Sequence, residues 1–183
     1  MTRLPPSDSG SSGSAPLPAD DAHALRLPSD EFDLSKSTIL IVDDNSQNLE
    51  LLHAYLEELD CRIQTATDGI EALASIEAQQ PDIILLDVMM PRMSGFQACT
   101  RVKSSPHTRD IPVIMVTALN EVGDVERAVE SGADDFLTKP VNKIELLTRV
   151  KSLLRVRLLR KELDRTLEQM RRLQRSQRDD STE

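Results

Sequence analysis

From residue 37 onward the chain alternates between two hydrophobic patterns. Solid apolar runs bounded by polar residues occur in Thr38-Ile-Leu-Ile-Val-Asp43, Asp82-Ile-Ile-Leu-Leu-Asp87 and Pro112-Val-Ile-Met-Val-Thr117. Runs of this length without alternation fit strands covered on both faces, as in a parallel sheet. Together with two weaker segments they predict strands over 38–43, 62–66, 82–86, 112–117 and 134–138. Between them, apolar residues at helical spacing predict helices over 46–59, 69–79, 95–103 and 122–131, with Gly69, Gly123 and Gly132 at their margins. Strands alternating with helices imply an α/β fold: a doubly wound, five-stranded parallel sheet of order 2-1-3-4-5.

The flanks differ. Residues 1–36 are rich in Pro, Ser, Gly and Asp, with only scattered apolar residues such as Leu25, Leu27, Phe32 and Leu34. Such a segment buries too little surface to offset the entropy of ordering and is expected to be a disordered tail. The folded domain is expected over 37–150. At its end a helix can run from Asn142 to about Gln177 without a Gly or Pro. In the 151–177 extension, Val156, Leu159, Leu163, Met170 and Leu173 fit alternating a and d positions of a heptad, with Thr166 at the missing d site and Leu167 beside it. That stripe predicts a coiled-coil dimer seam, with a parallel homodimer favoured over docking in another protein's groove. Residues 178–183 read as a disordered end, and their polar character favours a self-standing chain over a fragment of a longer one.

Charge sharpens this picture. The 183-residue chain carries −9, yet the stretch from Arg149 to Arg178 has eleven basic and three acidic residues, leaving −17 elsewhere. An acidic globule thus bears a basic helix. With no helix-turn-helix and no interleaved aromatics, nucleic acid is not the expected partner. Only Phe32, Phe96, Phe136 and Tyr55 are aromatic, so the core must be aliphatic. Cys61 and Cys99 lack the spacing of a zinc site or a disulfide framework. The chain shows neither a basic-then-apolar leader nor a run long enough to span a membrane, so the cytoplasm is the expected compartment.

The chemistry gathers where the strands end. One strand closes on Asp43-Asp44, another on Asp87, a third on Thr117, and a fourth on Lys139-Pro140. In open α/β sheets ligands bind outside the carboxyl ends of the strands. Three carboxylates, a hydroxyl and an ammonium there suit a hard divalent cation and a phosphoryl group. A carboxylate is itself able to take up a phosphoryl group covalently. Taken singly, each part has a plainer reading. Asp43-Asp44-Asn45-Ser46 suits a helix N-cap, Lys139 a solvated surface charge, Thr117 an ordinary strand residue, and Phe136 a core position.

Asp43-Asp44, then Asp87 followed by Met89-Met90-Pro91 and Gly95, then Thr117-Ala118 and Lys139-Pro140 together resemble the receiver domain of bacterial two-component response regulators. The resemblance covers residues 37–150. The segments Pro81–Pro91 and Ser131–Pro140 are most similar to receivers that precede diguanylate cyclases or histidine kinases. It implies a flavodoxin-like fold with Asp87 as phosphoacceptor. Mg²⁺ would be held directly by Asp44 and through water by Asp43, with the Met89 backbone carbonyl as a further ligand and Asp87 also in the metal set. It also implies Thr117 as the switch hydroxyl with Ala118 beside it, Phe136 at the switch aromatic position, Lys139 on the phosphoryl oxygens, and a cis Lys139-Pro140 bond. The implied partner is a sensor histidine kinase or phosphotransfer protein. The chain would then be no enzyme beyond catalysing its own phosphorylation and slow dephosphorylation. Met89 and Leu119, two residues after the acceptor and after the switch threonine, offer no group to orient a hydrolytic water. A silent, dimerising scaffold is one alternative. An Asp-nucleophile phosphohydrolase is another, but its DxD pattern fails because Met89 stands two residues after Asp87.

Overall fold

The computed structural model describes residues 33–118, 127 and 129–179, with side chains to Arg175. Five strands, β1 (Thr38–Val42), β2 (Arg62–Ala66), β3 (Ile83–Asp87), β4 (Val113–Thr117) and β5 (Asp135–Thr138), form one parallel sheet of order β2-β1-β3-β4-β5. The register pairs Ile39 with both Ile63 and Ile83, Ile84 with Val113, and Thr117 with Thr138. The strand ends are therefore level, and the residues that follow them share one edge.

Side chains alternate between the faces of each strand, which divides the core into two layers. Leu40, Val42, Ile84, Leu86, Val113 and Met115 meet α2 (Gly69–Ala78) and α3 (Gly95–Ser104) through Ala72, Ile76, Ala98, Cys99 and Val102. Ile39, Ile41, Ile83, Leu85, Ile114 and Val116 meet α1 (Ser46–Leu56) and α4 (Lys143–Asp179) through Leu52, Leu56, Leu146, Leu147, Val150 and Leu154. β1, β3 and β4 are buried throughout. β2, at one margin of the sheet, is only partly covered, which is why its sequence pattern is weaker.

Several boundaries depart from the sequence reading. The first helix stops at Leu56 and tightens into a 3₁₀ turn, Glu57–Leu59, closed by Asp60 at φ 52°. Asp82 precedes β3 instead of opening it. Of the helix expected over 122–131, Arg127, Val129 and Glu130 are described and helical and Ser131 is already a turn, while residues 122–126 and 128, with Leu119, lie outside the described residues. Of the tail expected to be disordered, residues 1–32, including Leu25, Leu27 and Phe32, lie outside the described residues. Residues 33–36 are folded. Asp33 caps the 3₁₀ turn Leu34–Lys36 through the Ser35 N–H at 3.1 Å, and Leu34 packs on the α1/α4 layer. A cap and one apolar contact suffice to order so short a turn.

Helix α4 starts where Asn142 accepts the Glu145 N–H at 3.1 Å, an N-cap bond. It continues to Asp179, two residues past the expected end and so two residues into the stretch expected to be disordered. Val156, Leu159, Leu163, Leu167, Met170 and Leu173 are all exposed along it. No helix among the described residues is long and apolar enough to cross a membrane. Cys61 and Cys99 are both free. Burial, with the charges of Asp60 and Asp82, pushes the Cys61 thiol up to about 11, which leaves it protonated and unreactive at neutral pH.

Candidate functional site

Asp43 directly follows β1, and Asp87 is the last residue of β3. These are neighbouring strands at the centre of the sheet, so the two carboxylates emerge side by side. Asp43 and Asp87 are buried, at 1 % and 4 % exposure, whereas Asp44 is open to solvent. Carboxylate oxygens of all three lie within 4.8 Å of one another. Acids this close repel each other unless a cation stands among them. That donor set, all hard oxygen, fits Mg²⁺ better than a softer metal.

Lys139 supplies the local counter-charge. It follows β5, and its N–H bonds the Thr117 carbonyl at 2.7 Å, extending the β4–β5 ladder by one step. Its Nζ donates to Asp43 Oδ2 at 2.8 Å and to Asp87 Oδ1 at 2.7 Å. The Lys139–Pro140 peptide is cis. Burial pushes the Lys139 ammonium down, but the hydrogen bonds and charges of Asp43 and Asp87 outweigh it and hold the group above its ordinary value. Burial lifts the Asp87 carboxyl above its ordinary value, with Asp43 adding to the rise. The Lys139 contact and the Met89 N–H only partly offset it.

The Asp43 carboxylate is oriented from α1. It accepts the Asn45 N–H at 2.9 Å and the Asn48 amide at 3.0 and 3.1 Å. The capping role is taken by Asn45, whose side chain accepts the Gln47 N–H at 2.9 Å. The acid pair is thereby released from capping, and the pocket keeps its charge. Asn48 was not singled out in the sequence. Its position one turn into a helix that starts beside Asp43 was the signal.

The loop after Asp87 is drawn tight. Gly95 donates its N–H to Val88 at 3.0 Å, and a Cβ on Gly95 would lie 2.1 Å from the Asp87 carbonyl oxygen. Only glycine permits that approach. Ser94 and Gln97 then form a capping box at the start of α3. Met89 turns its side chain outward at 64 % exposure. Thr117 is buried at the end of β4, between the β3 and β5 ends, and Ala118 after it is exposed. Phe136 lies on the outer strand β5 at 38 % exposure, so it is a surface-facing aromatic and not a core residue. The residues expected to form a seam, Val156 to Leu173, belong to α4, outside this pocket.

Comparison with known proteins agrees with this geometry. Residues 39–151 match the family model described as the response regulator receiver domain. The response regulator PleD of Caulobacter vibrioides is 50 % identical over 125 residues, 68 % of this chain and 28 % of PleD. The DNA-binding dual master transcriptional regulator RpaA of Synechocystis is 44 % identical over 117 residues, 64 % of this chain and 48 % of that protein. The chain thus spans between about a quarter and a half of these relatives. Among solved structures, the signal receiver domain of a histidine kinase from Syntrophus aciditrophicus aligns with a TM-score of 0.62 at 42 % identity, covering 64 % of this chain and 89 % of that one. The receiver domain of a sensor histidine kinase of Pseudomonas aeruginosa, with a magnesium ion coordinated in its active-site cleft, aligns at 0.61 with 33 % identity, over 65 % of this chain and 98 % of that one. Through residues 39–151, this chain belongs to the response regulator receiver domain family.

Proposed function

We propose that the chain is a phospho-switch of two-component signalling, in which Asp87 accepts a phosphoryl group from a sensor histidine kinase or a phosphotransfer protein. The phosphohistidine N–P bond breaks, its electron pair stays on the imidazole nitrogen, and an Asp87 oxygen forms the new P–O bond. The supporting observation is the single ammonium of Lys139 bonded to both Asp43 and Asp87, beside a third carboxylate.

Asp43, Asp44, Asp87 and the Met89 carbonyl are the residues proposed to hold Mg²⁺, which would neutralise charge as the phosphoryl group arrives. Lys139 then holds one phosphoryl oxygen as a point charge, and the Thr117 hydroxyl donates to another. Phe136 is assigned to follow that rearrangement at the surface. The state is read out through dimer geometry along Val156, Leu159, Leu163, Met170 and Leu173, or through partner docking on the same helix. A six-residue apolar row left exposed on α4 supports that readout.

Incubation with acetyl phosphate and Mg²⁺ tests the reading. A base-labile, acid-stable label on wild type that disappears in Asp87→Asn is the expected result, since the amide keeps the shape but lacks the nucleophilic oxygen. Equal labelling of the variant moves the acceptor elsewhere. No label on either protein leaves the exposed row of α4 as the working part, which is the scaffold reading.

A further inference from the structure

The loop between β3 and α3 contains a turn that its central residue resists. Arg92 has φ 67°, in the left-handed region that non-glycine residues seldom enter. The Met93 N–H closes on the Pro91 carbonyl at 2.7 Å. Residues 91–93 therefore form a γ-turn centred on Arg92, and the positive-φ form of that turn is rare and strained. Such strain persists only where the surroundings over-determine it.

Two contacts from the start of α2 do so. The Arg92 guanidinium meets the Oδ2 of Asp68 in an ion pair. Asp68 is 1 % exposed. Its other oxygen accepts the N–H groups of Ile70 at 2.7 Å and Glu71 at 3.0 Å as the N-cap of α2. The carboxylate is thus fixed by the helix it caps and has no freedom to follow the loop. The second contact is steric. The Met93 side chain lies over Gly69, where a Cβ would stand 2.8 Å from Met93 Cγ. A side chain at 69 would push the loop off the helix.

The pinned loop starts at Val88 and Met89, directly after Asp87, and returns to Val88 through the Gly95 N–H. Anchoring its middle therefore sets the path of the backbone at Met89. We propose that Asp68 and Arg92 are positioning residues for the divalent cation. Their ion pair holds the loop in its strained turn, so that the Met89 backbone is presented to a cation beside Asp43, Asp44 and Asp87. This inference rests on those three acids binding Mg²⁺.

The experiment is a calorimetric titration of the full chain with Mg²⁺ alone, with no phosphodonor present. Arg92 is a surface side chain, and Asp68→Asn keeps an oxygen to cap α2, so both variants retain the fold. Arg92→Ala and Asp68→Asn are each expected to bind Mg²⁺ about tenfold more weakly, the scale of losing an outer support of a metal site. The double variant is expected to be no weaker than the weaker single one, because the two changes remove one shared contact. Arg92→Gly is expected to fall between Arg92→Ala and wild type, since glycine takes the turn without strain but lacks the anchor. Wild-type affinity in Arg92→Ala and Asp68→Asn overturns the positioning role and leaves the metal site standing. A wild-type chain that binds no Mg²⁺ overturns both.

Discussion

Lys161 of α4 donates a hydrogen bond to Asp82, a buried carboxylate that also accepts the Thr38 N–H at 2.9 Å. Asp82 immediately precedes β3 and Thr38 opens β1, so one lysine ties the helix extension to the two strands whose far ends carry Asp43 and Asp87. The inward stripe Leu147, Val150, Leu154 continues through Arg157 to Lys161 at heptad spacing. The extension is therefore docked to the body at Lys161, about two turns beyond Leu154, the last buried leucine.

Lys161→Met keeps the aliphatic stem but leaves Asp82 without its cation. The lysine head is partly solvated, so the loss falls below that of a fully buried pair, at about 1–2 kcal/mol. A urea midpoint lowered with an unchanged slope measures it. Amide exchange should quicken in residues 156–163, while labelling by a phosphodonor is unaffected. An unchanged midpoint would mean that the pair contributes nothing net.

Asp87 is expected to link stability to pH and, through the proposed metal site, to Mg²⁺. Its folded carboxyl is raised, chiefly by burial, so ionisation costs more in the folded state than in the unfolded one. The sign follows: above the raised value the ionised group destabilises the fold, and this penalty is relieved as pH falls through that value. In chelator at neutral pH, Asp87→Asn is expected to melt higher than wild type, with the gap closing toward the carboxylate range. Saturating Mg²⁺ should reverse the order, because only wild type gains strongly from binding, by about 2.7 kcal/mol at a hundred times Kd. Calorimetric melting with and without Mg²⁺ checks both signs.

The proposed dimer seam is expected to be separable from the fold, but only beyond the docked part of α4. Leu154 is fully buried, and a chain cut before it opens the α1/α4 layer. Ending the chain after Lys161 keeps Leu154 and the Asp82 contact while removing Leu163, Met170 and Leu173. Light scattering is expected to give a monomer that still takes phosphate. If this shortened chain stays dimeric, the contact lies on the globular domain.

Met89 is expected to bear on the lifetime of the proposed phosphorylated state. Its thioether is exposed beside the acceptor and has no group to orient a water in line with phosphorus. Met89→Asn supplies one and is expected to speed dephosphorylation on the order of tenfold. Phosphate release from the labelled protein reports the rate, and an unchanged decay would remove the side chain from that role.

By itself the sequence determined the elements and the edge at which the chemistry lies. Solid apolar runs ending in Asp43, Asp87 and Thr117 could be buried only as central parallel strands, and strand direction then put those ends on one side. The exact helix ends were not legible there, because tightening after Leu56 depends on how Leu59 packs beneath the sheet.

Only the tertiary structure decided the pairings. Lys139 reaches Asp43 across 96 residues, and Lys161 reaches Asp82 across 79. No local pattern encodes such contacts, because they depend on strand order and on the path of α4 over the sheet. The Asp68–Arg92 ion pair stayed hidden for a related reason. An arginine inside a Pro/Gly loop reads as a solvated charge, and its left-handed turn forms only once α2 brings a buried carboxylate against it.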